Sequence, residues 1–198
     1  MKESLLEAYN RLIEKGFKRE QIALGFVDET SPQTTANTAR VWHVGPADIV
    51  KNTTRYKANA VGFYEIVGHS VSEFLSDSTQ KSIEDFVEKI REANSEYPAI
   101  IVILDNFSSH KTKMVRKMAI ELDIELVFLP PYSPDLNPIG FIRKTVKHHI
   151  SLEFIRSLNH LRDTIHEVWV DASRRCSYEK NWINTFVTGS VSYRDLCS

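Results

Sequence analysis

The sequence predicts one α/β domain in which a mixed, five-stranded β-sheet carries helices on both faces. Residues 58–75 show two strand patterns joined by a turn at Gly68-His69, which predicts an antiparallel hairpin. The apolar runs at residues 99–104 and 124–129 each follow an amphipathic helical pattern, as parallel strands joined by helical crossovers do. The 198 residues contain no Gly/Ser-rich linker and no internal repeat, so no clear domain boundary is predicted.

The N-terminal segment, residues 1–21, is predicted to form an amphipathic helix ahead of the sheet. Its apolar residues fall on one side: Leu5, Leu6, Tyr9, Leu12 and Ile13. The segment lacks the apolar core and cleavage site of a signal peptide, and the sequence has no run of about 18 apolar residues that would predict a membrane span. Cys176 and Cys197 form no C-x-x-C pair and fit a reducing cytosol, so a cytoplasmic protein is expected.

The first strands and the helix after them are predicted from their apolar patterns. Residues 22–28 (IALGFVD) indicate a buried strand that ends in an acid, and residues 40–44 (RVWHV) indicate a second strand before the hairpin. Ser78 is the predicted N-cap of a helix. The apolar positions of that helix follow helical spacing: Ile83, Phe86, Val87 and Ile90.

The second half of the chain alternates strands and helices. The run AIIVIL at residues 99–104 is too short for a helix and predicts a central strand buried on both faces. Asn137 is the predicted N-cap of a later helix, with Pro138 at its first position, and residues 158–170 indicate one more amphipathic helix. This order of elements is the ribonuclease H-like arrangement, although a fold alone does not give a function.

Charge is unevenly distributed although the net charge is −1. This balance does not indicate a globally basic nucleic-acid binder. Residues 110–117 nevertheless hold four Lys or Arg side chains and no acid, and residues 143–147 hold three. Such runs are typical of a solvated helix face or of a phosphate-binding surface, and both interpretations stay open.

Two aspartates stand at predicted strand ends. Asp28 ends the first strand and Asp105 follows the central strand, and neighbouring parallel strands would place these ends side by side. Adjacent carboxylates repel unless a cation lies between them, and hard oxygen ligands suit Mg²⁺ or Mn²⁺. Acids also end strands because they cap turns, so for either residue alone this structural interpretation stays open. Glu29 points to the opposite face from Asp28, and we expect Asp28 to join the shared site.

Three motifs resemble the catalytic core of mariner-type insertion-sequence transposases of the DDE superfamily. They are FVDET at residues 26–30, VILDNFSSHK at residues 102–111 and FLPPYSPDLNPIGFIRKTVK at residues 128–147. The resemblance is weaker at residues 158–187, where WINTF resembles the family's C-terminal pattern. It implies a ribonuclease H-like catalytic domain over residues 22–175 with a C-terminal extension, residues 176–198. It also implies DNA strand cleavage and transfer with two Mg²⁺ or Mn²⁺ ions, in a cytoplasmic protein associated with the nucleoid.

The resemblance assigns the first metal ligand to Asp28 and the second to Asp105. The family carries a catalytic Glu two residues after the Pro of the Asn-Pro pair, and this chain has Gly140 there. The family usually has a Trp where this chain has Arg143. Glycine cannot bind metal, so we expect impaired cleavage and one weakly bound ion rather than two. We also expect Gly140→Glu to raise the metal affinity.

Other side chains near the third position are considered as replacements. Asp135, in the loop before the helix, is an alternative ligand if that loop rearranges. Glu153 lies about 20 Å from Gly140 along a helix and cannot substitute, and His148 and His149 are also too far along.

DNA, both transposon ends and target, is the partner that the resemblance implies, and the family acts as dimers, so a homodimer is compatible with it. Six residues are candidates for phosphate contacts, which would be salt-sensitive and nearly blind to sequence: His110, Lys111, Lys113, Arg143, Lys144 and Lys147. A structural hydrogen bond fits His110 equally well. Residues 1–21 supply one helix rather than a helix-turn-helix pair, so they are not expected to recognise specific ends.

Two alternative functions stay open. One is a non-catalytic DNA-binding or oligomerising remnant that interferes with intact transposase. The other is a cellular nuclease of the same fold. The loop sequence PPYSPDLNP argues against it, because this sequence resembles that of transposases rather than of nucleases in general.

Overall fold

The structure is a computed structural model that describes residues 2–35, 44–45, 52–76, 79–105, 112–131 and 136–175. Its strands are β1 Ile22–Thr30, β2 Asn59–Val67, β3 Val71–Leu75, β4 Ala99–Leu104 and β5 Ile124–Phe128. Its α-helices are α1 Lys2–Glu14, α2 Gln80–Ala93, α3 Lys113–Glu121, α4 Ile139–Leu152 and α5 Leu158–Arg175, with a short 3₁₀ turn at Arg19–Gln21.

The five strands form one mixed sheet in the order β3-β2-β1-β4-β5. The hairpin strands β2 and β3 are antiparallel, and β2 pairs antiparallel with β1. The crossover strands are parallel, β1 to β4 and β4 to β5. Gly68 has a φ of +118° at the predicted hairpin turn, where a residue without a Cβ is favoured. The predicted mixed, five-stranded α/β architecture is confirmed, with the hairpin supplying two of the five strands. The strand predicted at residues 40–44 would be a sixth, and its last residue, Val44, is 99% exposed and lies in a bend.

Alternation along the strands gives the sheet two apolar faces. On β1, Leu24 and Phe26 pack into a core that includes α1, α4 and α5, whereas Ala23 and Val27 face α2 and α3. Strand β4 is buried along its whole length, as its unbroken apolar run predicts. This alternation matters for function because it determines the face of the sheet on which each strand-end side chain lies.

The start of α2 differs from the prediction by one residue. Thr79, not Ser78, is the N-cap, and its hydroxyl accepts a hydrogen bond from the Ser82 amide. Two adjacent hydroxyl residues satisfy the same sequence rule, and the choice between them depends on where the chain turns into the helix. Helix α5 also continues five residues beyond its predicted end, to Arg175.

The N-cap of α4 is Pro138, one residue after the predicted Asn137, although Asn137 still provides the capping hydrogen bond. Pro138 already has helical dihedral angles, φ −65° and ψ −24°. The Asn137 Oδ1 accepts a hydrogen bond of 3.2 Å from the Ile139 amide. The Asn-Pro pair therefore fixes where this helix begins, and with it the place of the residues in its first turn.

Helix α1 packs into the same core as the sheet. Leu5, Tyr9 and Leu12 are buried as expected, but Ile13 is 39% exposed, so the apolar stripe is narrower than predicted. Arg11 Nη2 lies 3.1 Å from a Glu125 carboxylate oxygen, which ties the helix to β5.

Some sequence predictions fall on residues that the structure does not describe. These are residues 40–43 of the predicted second strand, the WINTF segment, and Cys176 and Cys197. Within the described ranges, no helix combines the length and apolarity that crossing a bilayer requires.

Candidate active site

The two predicted aspartates meet at one edge of the sheet. Val27 of β1 is the register partner of Leu104 of β4 in a parallel pair, so the next residues, Asp28 and Asp105, lie beside each other. Phe26 and Ile103, two residues earlier on each strand, share one core, so alternation sends both aspartates to the face that α4 covers. The Asp105 charge raises the pKa of Asp28, which reflects this proximity.

Glu29 belongs to the other face of the sheet. Val27 packs with α2 and α3, and Glu29 follows it by two residues on the same side. A hydrogen bond from the Glu29 backbone lowers the pKa of Asp28, so Glu29 contributes to the site through its main chain.

The first turn of α4 lies on the same face as the aspartates. Its buried residues point into the core: Ile139, Ile142, Val146 and Ile150. Gly140 is half-buried, and a Cβ built on it meets nothing within 4 Å in the described part of the chain. Position 140 therefore has room for a side chain.

Arg143 joins α4 to the first aspartate. It follows Gly140 by three residues, and its Nη1 forms an ion pair with Asp28 Oδ2. The Asp28 side chain is 11% exposed and that of Arg143 is 35% exposed. The Arg143 Nε is buried and has no hydrogen-bond partner among the described residues. Arg143 was predicted to contact DNA phosphate, whereas the structure directs its guanidinium to Asp28.

Sequence reasoning missed this ion pair, although the signal was present. Residues three apart on a helix lie on the same face, so a side chain that follows Gly140 by three residues shares its direction. Because the resemblance places a metal ligand of the family at position 140, the same spacing indicates that Arg143 lies toward the aspartates.

Opposing effects act on the Asp28 carboxyl. Burial raises its pKa and is the largest effect, while the Arg143 charge and hydrogen bond lower it. Asp105 raises it again, and the net result is a pKa above the usual 3.8. The buried, charged Asp28 is therefore unfavourable for folding even with Arg143 beside it.

The Asp28→Asn variant is expected to lose less stability than the unchanged chain as the pH rises. Because the folded-state pKa lies above 3.8, the contribution of Asp28 to stability is fully present below that pH and is lost as the pH rises through the folded-state value. Urea unfolding in EDTA from about pH 4 to pH 7 measures this slope. Asp163→Asn, at an exposed position of α5, is the matched control, and equal slopes in both variants would contradict the prediction.

The described residues do not fit a site for two divalent ions. Within the described ranges, no group of three His, Cys, Asp or Glu side chains could hold a metal. Asp28 Oδ2 is engaged by Arg143, and Gly140 offers no ligand. Glu153 forms a 3.0 Å contact with His160 after the end of α4 and does not replace the missing acid. Asp135, the alternative ligand, lies outside the described residues.

The predicted phosphate contacts are distributed over two helices. Lys113 is exposed at the start of α3. On α4, Lys144 is exposed, with its Nζ 5.4 Å from the centre of the Phe141 ring, and Lys147 is half-buried. His110 and Lys111 lie outside the described residues.

The family described as DDE superfamily endonuclease matches residues 23–162, which is more than half of the chain. That range contains both aspartates, Gly140 and Arg143. None of the curated proteins compared with the chain matches it.

Solved structures with a similar fold include several of the Mos1 transposase. Its paired-end complex with the left transposon end has a TM-score of 0.62 and 19% identity over 91% of this chain. Its catalytic domain with Raltegravir and Mn has a TM-score of 0.58 and 19% identity, and covers 91% of this chain and 83% of that one. The crystal structure of the Mos1 mariner catalytic domain has a TM-score of 0.56 and 17% identity, covering 91% of this chain and 87% of that one.

These identities show a shared fold, and the chain spans 56% of the length of the transposase chain in the paired-end complex. The family match shows membership of a family, which similarity of fold alone does not show. The chain belongs to the DDE superfamily endonucleases and has the ribonuclease H-like fold of a mariner-type transposase catalytic domain.

Proposed function

We propose that this chain is the catalytic domain of a cut-and-paste DNA transposase, built for DNA strand cleavage and transfer, whose chemistry is impaired. The observation that carries the proposal is the meeting of Asp28 and Asp105 on the face that α4 covers, with Gly140 in its first turn. By the resemblance, Asp28 and Asp105 correspond to two of the family's three acids, and Gly140, at the third position, has room for a side chain but no carboxylate.

A plasmid-nicking assay tests this function. With supercoiled DNA and Mn²⁺, the chain is expected to produce nicks no faster than a matched Asp105→Asn variant. Turnover well above that variant would contradict the impairment. Nicking well above a protein-free control that persists in both Asp28→Asn and Asp105→Asn would contradict the assignment of the site itself.

A non-catalytic function is the second candidate, and the ion pair between Arg143 and Asp28 favours it. A carboxylate paired with a guanidinium is less available to a metal ion, so the chain's function would not depend on cleavage. Such a chain would act by binding DNA or by pairing with intact transposase. Co-purification with an active relative, followed by its nicking rate, tests this candidate, and absence of mixed oligomers would contradict interference by pairing.

DNA binding without sequence preference is the proposed activity that needs no intact catalytic centre. Lys144 and Lys147 project from α4, the helix that carries Gly140, and Lys113 from the start of α3. These cations would contact phosphate oxygens near the strand-end aspartates, together with His110 and Lys111.

The double variant Lys144→Ala/Lys147→Ala is expected to weaken binding to a short duplex in EDTA. If each lysine contacts one phosphate, the slope of log K against log salt falls by about 2. The control removes two lysines from α2, on the other side of the sheet, with Lys81→Ala/Lys89→Ala. Equal losses in both double variants would mean that α4 is not part of the DNA surface.

A further inference from the structure

The positively charged guanidinium of Arg143 pairs with Asp28 at the end of β1. We propose that the Arg143 guanidinium is a built-in counter-ion that takes the place of a divalent metal ion at Asp28 and closes this centre to Mg²⁺ and Mn²⁺. The inference rests on the proposed function, because it concerns the site where that function would be carried out. It goes further by adding a second change to the loss of the acid at Gly140.

The position of Arg143 on α4 carries the first step. The helix begins at a point set by Asn137 and Pro138, and its ion pair with Asp28 brings its first turns to the end of β1. Arg143 lies about one turn after Gly140 and reaches Asp28 Oδ2 with Nη1. The guanidinium therefore comes from the helix that should supply the third ligand, and it occupies an oxygen that a metal ion would need.

Burial shows that this contact is a packed feature of the site. The Asp28 side chain is 11% exposed, and the Arg143 Nε is buried. An exposed ion pair contributes little to stability, but a carboxylate withdrawn from water needs a positive partner. Arg143 provides that partner from within the chain.

The positive charge of the Arg143 guanidinium opposes metal binding at this carboxylate. A divalent cation approaching the same carboxylate meets a like charge. Mg²⁺ is further disfavoured because it dehydrates reluctantly and demands near-octahedral oxygen geometry.

A glutamate restored at position 140 would meet the same guanidinium. Side chains three apart on a helix are neighbours, and an acid followed by an arginine at that spacing is attractive. The introduced carboxylate would then pair with Arg143 instead of binding metal. The expected gain in metal affinity from Gly140→Glu alone is therefore lost, and both positions must change together.

Calorimetric titration of the purified full chain with Mn²⁺, without DNA, tests the inference. Arg143→Met removes the charge and keeps the aliphatic stem, and Arg143→Trp introduces the family's residue. Each is expected to bind Mn²⁺ at least about tenfold more tightly than the unchanged chain. Gly140→Glu alone should stay within about threefold of the unchanged chain, and Gly140→Glu/Arg143→Trp should gain about 100-fold.

Two controls assign the gain to this centre. Lys144→Met removes one positive charge from the next residue of the same helix, where the side chain is exposed, and should leave Mn²⁺ binding unchanged. Asp28→Asn/Arg143→Met should lose the gain. Circular dichroism establishes folding for each variant, and either of the two Arg143 substitutions suffices if the other does not fold.

The unchanged chain binding Mn²⁺ as tightly as Arg143→Met would overturn the inference, and so would an equal gain in Lys144→Met. These outcomes are independent of the proposed function, because no DNA is present. Failure of every variant to nick DNA, with the expected metal affinities, would overturn the function and leave the inference intact.

Discussion

Gly62→Val is expected to destabilise the domain by about 3 kcal/mol, because the position has no space for a side chain. A Cβ built on Gly62 would lie 2.1 Å from Trp169 Cη2 and 2.3 Å from Cζ2. Trp169, on α5, is 5% exposed and belongs to the hydrophobic core. Strand β2 pairs with a neighbour on both sides, so its backbone cannot move away without breaking the sheet.

Urea unfolding followed by circular dichroism measures this loss. Gly140→Ala is the matched control, because a Cβ there meets nothing within 4 Å in the described ranges. In a helix, that change should stabilise the fold by about 0.5–1 kcal/mol. Stability of Gly62→Val within about 0.5 kcal/mol of the unchanged chain would mean that the Trp169 ring does not lie on β2.

A double-mutant cycle separates the ring from other causes. Trp169→Ala alone should cost about 3–5 kcal/mol because it leaves a cavity. Gly62→Val should cost less in that background, since the methyl groups enter the vacated space. The interaction energy is expected to be at least about 1 kcal/mol, and additive losses would contradict the contact.

The contact between Gly62 and Trp169 also shapes the site. Gly62 is the direct register partner of Asp28, so both lie on the same face of the sheet. The indole that packs on Gly62 therefore lies on the same face of the sheet as Asp28, in the core that also contains Phe26 of β1.

The sequence predicts those parts of the site that follow from local periodicity. Alternation and strand length place Asp28 and Asp105 at strand ends, and parallel pairing then brings the ends together. Asn137 and Pro138 mark the start of α4 because capping and the proline ring act within one turn. Each of these inferences needs a few neighbouring residues and no knowledge of tertiary distances.

Contacts between distant segments could not be predicted in the same way. The pairing of Arg143 with Asp28 depends on the distance and rotation of α4 over β1, and the contact of Trp169 with Gly62 depends on α5. Many arginines remain exposed to water, so the sequence alone favoured a phosphate contact for Arg143. Tertiary packing decides the partner, and it also decided that Ile13 remains outside the core.

The largest gain in activity is expected from Gly140→Glu/Arg143→Trp. Each single change leaves one defect: Arg143→Trp lacks the third carboxylate, and Gly140→Glu retains the guanidinium at Asp28. Residues that act as one unit are strongly non-additive, so the double variant should nick supercoiled DNA in Mn²⁺ on the order of 100-fold faster than either single variant. Initial rates of plasmid nicking, with each protein at equal concentration, measure the comparison.

The same double variant with Asp105→Asn should return to the background rate, because the carboxylate on β4 would again be missing. With Lys147→Ala it should instead keep its rate at saturating DNA while its affinity for DNA falls. Equal rates in the double variant and in Gly140→Glu would show that Arg143 leaves Asp28 during the reaction. The ion pair would then be a resting contact, and the lost glutamate alone would account for the impairment.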